Sequence, residues 1–474
     1  MAMARNTRKQ VVATGVGIAA FALTVTMAFM ADMLPKAACI AIATAGCLVT
    51  LGCALIVRSK DWYRVLRHSG DVDLGGISAS LPNGYDLHNF AMTSRDGEPR
   101  LAGYVTCPIA DKMIVLNSYQ VNLQGNYHAP NDVAMFAEHL AAENPEMPPV
   151  GVDIPEDEHV AALAGDVSPV MLATGRKIPL LAATRRDALM TDEAFDKVVA
   201  TTGINGTIVF DGCSLSLSEF GALMPVSQTG TANVISVHTV IISSDGYLGF
   251  MRATNADPAH HRMIVPSASC PVPVRYAEMR TLQDVLLGAV NDEVRRKWGI
   301  PDDLPVGSSL VGMARIIERN GATEFYALTR IGRSMGRLLR SKRDDRIVPA
   351  DGMMNPWLAD VRDAEECAER LARTAYTVLD SSVNNMSVSL AALLGAVFDA
   401  LADDGMRHRI MRRLGYEDGS HDRQYDDVSE IAEEEMMESA SMAAVGNTRP
   451  STVEEILASH GNTGRFDVQG RNDG

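Results

Sequence analysis

Two long uncharged runs near the N-terminus constrain this chain more than any other feature. Residues 11–30 and 37–57 contain no Asp, Glu, Lys or Arg. Each is about the ~20 residues an α-helix needs to cross a bilayer core. Lipid supplies no hydrogen-bond partners for a bare backbone, so both runs are expected as helices. Only Ala31, Asp32, Met33, Leu34, Pro35 and Lys36 separate them, and residues 1–60 therefore read as a two-helix transmembrane hairpin. Gly15 with Ala19, and Ala41 with Ala45, place small residues one turn apart, which permits close helix packing. Arg5, Arg8 and Lys9 precede the first run, and Arg58, Lys60, Arg64 and Arg67 follow the second. The positive-inside rule then puts both termini and everything after residue 60 in the cytoplasm. The expected location is the cell membrane, multi-pass, with the lipid bilayer as a partner. The competing reading is a cleaved signal peptide before a single anchor; the first run is long for that and lacks a small-x-small exit before Pro35.

The remaining chain is long enough for further domains, and 46% of all residues are apolar, which is ample for a core. A formal net charge of −16 argues against nucleic acid as a partner, because phosphate backbones need a basic face. The seven cysteines form no CxxC pair, so neither a zinc site nor a disulfide framework is indicated. His68, His88, His128, His139 and His159 do not fall at metal-ligand spacing.

Residues 61–200 read as an α/β region of unknown role. Strands are expected over residues 101–105 and 112–121, a helix over 132–142 with Val133, Phe136 and Leu140 on one side, and a loop over 143–155. From residue 204 the pattern turns to strands, over 206–210 and 234–243. Asp245-Gly246 between apolar runs signals a hairpin whose return strand covers 247–251. Leu282, Val285, Leu286, Ala289, Val290 and Val294 recur at three- and four-residue steps and predict a helix over 281–298, with Gly299 as its stop. Strands over 311–318 and 324–329 flank an Asn320-Gly321 turn. This order suggests an α+β sandwich.

The helix ends in Asp292-Glu293-Val294-Arg295-Arg296-Lys297-Trp298-Gly299-Ile300. It resembles the end of a Nudix box, whose pattern closes in Arg-Glu-apolar-x-Glu-Glu-x-Gly-apolar. Glu293, Val294, Gly299 and Ile300 fit; Arg296 and Lys297 stand where the paired glutamates belong. Residues 238–252 resemble the opening hairpin of such domains, residues 264–269 the loop into the box helix, and residues 320–326 a later strand of some members. The resemblance covers about residues 204–350. It implies a mixed-sheet α/β/α sandwich and hydrolysis of nucleoside-diphosphate-linked substrates, with helical carboxylates holding Mg or Mn. In that register the first glycine of the box falls on Glu278, its first glutamate on Asp284, its arginine on Asp292 and its next glutamate on Glu293. Metal ligands would be Asp284, Asp292 and Glu293, and catalytic residues Glu293, Asp284 and Glu324. The cations at 296 and 297 oppose a divalent ion and can pair with Glu293 along the helix. The expected site is thus degenerate, with no cofactor unless the hydrolase reading holds. Arg295, Arg296 and Lys297 become candidate ligands for a phosphate-bearing, nucleotide-like molecule, beside the plainer reading of a salt-bridged core helix.

Residues 351–415 read as a helical extension, with helices over 364–379 and 387–401; the second is too short to span a bilayer and is expected to be buried. Arg330, Arg333, Arg337, Arg340, Lys342, Arg343 and Arg346 form the most basic segment, several at helical spacing. It reads either as a solvated face balanced by the acidic tail or as a contact for anionic lipid. Residues 416–474 read as a disordered acidic tail, with a capping-box pattern at Ser451-Thr452-Val453-Glu454. The functional expectation is a membrane-anchored cytoplasmic protein with a non-catalytic Nudix-like domain that binds a nucleotide-like ligand or a partner protein. A divergent Nudix hydrolase is the alternative.

Overall fold

The structure, a computed structural model, describes residues 63–67, 77–78, 81, 85–93, 99–106, 119–142, 159–167, 177–201, 207–254, 262–279, 281–350 and 355–416. The expected transmembrane hairpin, the 143–155 loop, most of the 112–121 strand and the acidic tail beyond Tyr416 lie outside these residues. Among the described residues no helix is long and apolar enough to cross a membrane.

The strands are β1 (Tyr63–Arg67), β2 (Asp86–Thr93), β3 (Pro99–Thr106), β4 (Val121–Asn126), β5 (Val160–Leu163), β6 (Ile178–Ala183), β7 (Lys197–Thr201) and β8 (Ile208–Asp211). They continue with β9 (Ser236–Ile242), β10 (Met251–Ala253), β11 (Ile264–Val265), β12 (Ala268–Pro271), β13 (Val306–Ile316), β14 (Ala322–Ile331) and β15 (Ile347–Pro349). The described helices are α1 (Asn131–Ala142), α2 (Arg185–Met190), α3 (Leu282–Trp298), α4 (Met335–Ser341), α5 (Ala364–Ser382), α6 (Val388–Ala402) and α7 (Asp404–Arg413). The chain is α+β with mixed sheets.

Two compact units emerge. Among the described residues the smaller holds β1, α1, β7 and β8. Its sheet has the order β1-β7-β8, antiparallel throughout. The stripe of Val133, Phe136 and Leu140 makes α1 amphipathic, and all three are buried. Phe136 meets Tyr63 edge-on at 5.3 Å and Phe210 at 6.1 Å.

The larger unit holds the remaining described strands and helices. Its main sheet has six strands in the order β12-β9-β14-β13-β3-β2. The β9–β14 pair is parallel and the rest are antiparallel. Residues 61–200 thus supply two strands of this sheet. Smaller sheets have the orders β11-β10-β15 and β4-β6-β5.

Helices cover both faces of the main sheet. On one face Ser308 of β13 donates to Asn291 of α3 at 2.6 Å. On the other, Gly312 of β13 packs so closely on α6 that an added Cβ would lie 2.4 Å from the Ala396 Cβ. Helix α6 is largely apolar and buried from Leu390 to Phe398, as its sequence predicts. Gly312→Ala should therefore cost about 2 kcal/mol by overpacking. Thermal unfolding checks this: an unchanged midpoint would mean that α6 stands farther from the sheet.

Helix α3 forms as its sequence prescribes. Thr281 caps its start by accepting from the Asp284 N–H at 3.2 Å. Gly299 ends it in the left-handed region at φ 62°, which a side chain disfavours. Leu282, Val285, Leu286, Ala289, Val290 and Val294 are buried on one stripe. Trp298 is fully buried, and its Nε1 donates to the Ser267 carbonyl at 3.2 Å.

Two local expectations change. The return strand after Asp245-Gly246 shrinks to one bridge, Ile242 with Leu248. The flanks of β9 are already filled by β12 and β14, so Met251 pairs instead within the small β10 sheet. The basic segment is not one helix: Arg330 lies in β14, α4 spans seven residues, and the chain then loops into β15.

Candidate functional site

Glu293 sits in the penultimate turn of α3 with its side chain 11% exposed. Arg296, one turn on, grips it with two parallel bonds, Nε to Oε2 and Nη2 to Oε1, both 2.8 Å. Lys297 lies 3.3 Å from the same Oε1. The 65% exposed Arg296 closes the carboxylate from outside, while the Lys297 side chain, 9% exposed, closes it from inside.

Lys297 has further partners. Its Nζ donates to the Ser269 carbonyl at 3.1 Å and lies 3.6 Å from Asp344 Oδ2. Three oxygen groups, from Glu293, Asp344 and Ser269, thus converge on one ammonium. Burial alone would raise the Asp344 carboxyl; side-chain and backbone hydrogen bonds from Arg346 and the Lys297 charge overcome this and hold it below the usual carboxylate range. Asp344 was not among the sequence candidates: no spacing rule links it to a helix 47 residues earlier.

The other predicted site residues lie elsewhere. Asp284 is exposed at the start of α3, bonded by Thr281 Oγ1 at 2.6 Å, and stands ~13 Å along the helix axis from Glu293. Asp292 points to Tyr276, whose hydroxyl donates to it, with Arg275 at 3.8 Å. Arg295 donates to the carbonyls of Pro301 and Leu304, the latter at 2.9 Å, and so staples the loop after α3. Glu324 faces α6, on the opposite side of the sheet from α3, bonded by Ser389 of that helix at 3.1 Å. Among the described residues no three His, Cys, Asp or Glu side chains gather as a metal would require. The Glu293 surroundings do not fit a divalent ion: its carboxylate and that of Asp344 are already paired with Lys297, Arg296 and Arg346.

A second polar network surrounds Glu324, which is fully buried. Arg319 Nη1 lies 2.7 Å from Oε1, and the Tyr326 hydroxyl donates to Oε2 at 3.1 Å. His238 Nε2 stands 3.3 Å from Oε2. Burial pushes the Glu324 carboxyl up; the charges of His238 and Arg319 outweigh it and hold the group well below the usual range. His238 Nδ1 also meets Ser269 Oγ at 2.8 Å. Ser269 therefore joins the two networks, its carbonyl toward Lys297 and its hydroxyl toward His238.

Beside Arg319 lies Asp192, also fully buried. It accepts from the N–H groups of Asn233 at 3.0 Å and Val234 at 2.9 Å. Burial raises its carboxyl to about 7, against the lowering pull of those bonds and of Arg319. A folded value above the unfolded one means that its contribution is full below pH ~4 and is lost as pH rises through about 7. Asp192→Asn, neutral throughout, should flatten the loss of stability between those limits; denaturant midpoints measured at pH 4, 5.5 and 7 check it. Equal pH slopes in both proteins would sink the assignment.

No protein-family model matches this chain, and no curated protein matches it. A solved structure described as the crystal structure of DR0079 from Deinococcus radiodurans at 1.9 Å resolution is similar over 34% of this chain and 80% of its own. With 16% identity and a TM-score of 0.18, that likeness carries no inference about fold or function.

Proposed function

We propose that the larger unit is a non-catalytic, Nudix-like binding body, held at the cytoplasmic face of a membrane by the N-terminal hairpin. The observation that carries this is the Lys297 ammonium seated between Glu293 and Asp344. It pairs with Glu293, one of the carboxylates the resemblance gives as metal ligands, and so takes up charge that a divalent cation there would need. A hydrolase of this kind relies on the metal both to orient phosphate oxygens and to activate water; a tethered ammonium offers hydrogen bonds but no open coordination site for water. Arg295 and Lys297 are engaged internally, which favours a partner protein over a nucleotide as the ligand, since Arg296 is the exposed member of the three.

The test is phosphate release from a panel of nucleoside-diphosphate-linked substrates with Mg or Mn. The expected result is no turnover above a protein-free blank, the same for wild type and Glu293→Gln. Metal-dependent release that disappears in Glu293→Gln would establish the divergent hydrolase instead.

A further inference from the structure

Ser269, His238 and Glu324 form a chain of three groups on the α6 face of the main sheet. Ser269 of β12 lies opposite His238 of β9, His238 lies opposite Tyr326 of β14, and Glu324 comes two residues before Tyr326. Opposed positions and positions two apart share one face of a sheet. Ser269 Oγ stands 2.8 Å from His238 Nδ1, and Glu324 Oε2 stands 3.3 Å from His238 Nε2. One imidazole ring thus stands between a hydroxyl and a carboxylate.

Exposure falls along this chain. Ser269 is half-buried on the edge strand of the sheet, His238 is 7% exposed and Glu324 is fully buried. The hydroxyl is therefore at the end nearer solvent and the anion at the inner end. Arg319, 2.7 Å away, keeps Glu324 ionised, and the Tyr326 and Ser389 hydroxyls each hold one of its oxygens. A carboxylate beside Nε2 favours the ring tautomer with its proton there, which leaves the Nδ1 lone pair to accept from the Ser269 hydroxyl. The backbone at Ser269 is fixed as well. β12 is paired with β9, and the Lys297 ammonium donates to the Ser269 carbonyl at 3.1 Å.

We infer that Ser269 is a nucleophile that takes an acyl group from an activated ester, with His238 as its general base and Glu324 as the anion that orients the ring. A serine hydroxyl alone is a weak nucleophile; an adjacent base held by a third group is what activates it. The ring is turned relative to the Ser-His-Asp arrangement of serine proteases, with the hydroxyl on Nδ1 and the carboxylate on Nε2, but the roles are the same. Oγ attacks the ester carbonyl carbon, and its proton passes to Nδ1. The bond from that carbon to the leaving oxygen then breaks, and the imidazolium returns the proton to the departing alcohol. The products are a Ser269 ester and the free alcohol, with no change of oxidation state. This chemistry lies across the sheet from Glu293 and goes beyond the reading of that site, since it involves neither a phosphate nor a divalent cation.

Acetylation by p-nitrophenyl acetate, and blocking by a neutral fluorophosphonate, test it on the full-length protein in neutral detergent. Peptide mapping by mass spectrometry should find acetyl on Ser269 in the native protein, and the fluorophosphonate should prevent it. A general base contributes about 10²–10⁴ in rate, so the same peptide should acetylate at least about a hundredfold more slowly in protein unfolded by denaturant. His238→Gln, shown to be folded by its thermal unfolding, should be slowed to the same degree. Ser269→Ala should remove the fluorophosphonate adduct from the chain. Equal acetylation of Ser269 in native and unfolded protein would overturn the proposal, and that comparison needs no variant to fold. So would equal rates in wild type and folded His238→Gln, or a fluorophosphonate adduct that persists in Ser269→Ala.

Discussion

Glu324→Gln is expected to destabilise the protein by about 3 kcal/mol, at the lower end of what breaking a buried pair costs. The carboxylate is fully buried and faces Arg319, His238, Tyr326 and Ser389 at 2.7, 3.3, 3.1 and 3.1 Å. A glutamine keeps the shape and one neutral bond but removes the fully buried anion beside Arg319, leaving that guanidinium only the more exposed Glu193. Total stabilities of domains lie near 5–15 kcal/mol, so the loss is a large part of the whole. Glu193→Gln is the control: it removes another carboxylate from Arg319, but one that is 41% exposed and 3.4 Å away, and it should cost under ~1 kcal/mol. Chemical denaturation of the two variants decides the matter; equal losses would mean that burial of Glu324 gives the pair no special weight. The pH dependence has a definite sign. Glu324 titrates below its unfolded value, so its contribution is present above the ordinary carboxylate range and is lost only as pH falls through the lowered folded value. The wild type should keep this contribution at pH 4 to 5, where ordinary carboxylates begin to take up protons.

Several elements read from local signals formed where expected. Helix α3 runs from its Thr281 cap to Gly299, because a 3.6-residue apolar repeat and both end signals agree. The Asn320-Gly321 turn closes β13 onto β14 with both residues at positive φ, 52° and 70°. Helices α5 and α6 lie within a few residues of their expected bounds. What the sequence could not show was partnership over distance. Nothing local says that β2 and β3 join the main sheet, or that β9 pairs parallel with β14 and leaves residues 247–251 outside it. The basic segment has helical spacing, yet Arg330 was claimed by the β14 ladder and the chain turned at Gly332, Arg333 and Ser334. The site shows the same limit. Glu293 with Arg296 and Lys297 was legible as neighbours on one helix. Asp344 and Ser269 complete that cluster from positions 47 and 28 residues away, and His238 meets Glu324 across 86 residues. Spacing rules for metal ligands or helix pairs do not reach across such separations.

Lys297→Ala should lower stability by about 3 kcal/mol, and a divalent cation should restore part of it. The reason is what the ammonium leaves behind. Glu293 and Asp344 have side chains 11% and 7% exposed, and the Ser269 carbonyl points to the same place. With Lys297 gone, two nearly buried carboxylates face each other across the space the side chain held, and the penalty for uncompensated buried charge applies. Arg296 and Arg346 still hold the outer sides of the two groups, which keeps the cost near the lower end of the range. Those cations also limit any metal to weak binding, so Mn at millimolar concentration is the suitable probe. A cation at ten times its dissociation constant returns about 1.4 kcal/mol. Wild type should show no such response, because its own cation is already in place. Lys297→Met separates charge from space: it fills the same volume, so it should lose a similar stability and gain nothing from Mn. Thermal unfolding of the three proteins with and without Mn reads all of this. If Lys297→Ala is as stable as wild type, or if Lys297→Met responds to Mn as strongly as the alanine variant, then Lys297 is not the internal substitute for a metal ion.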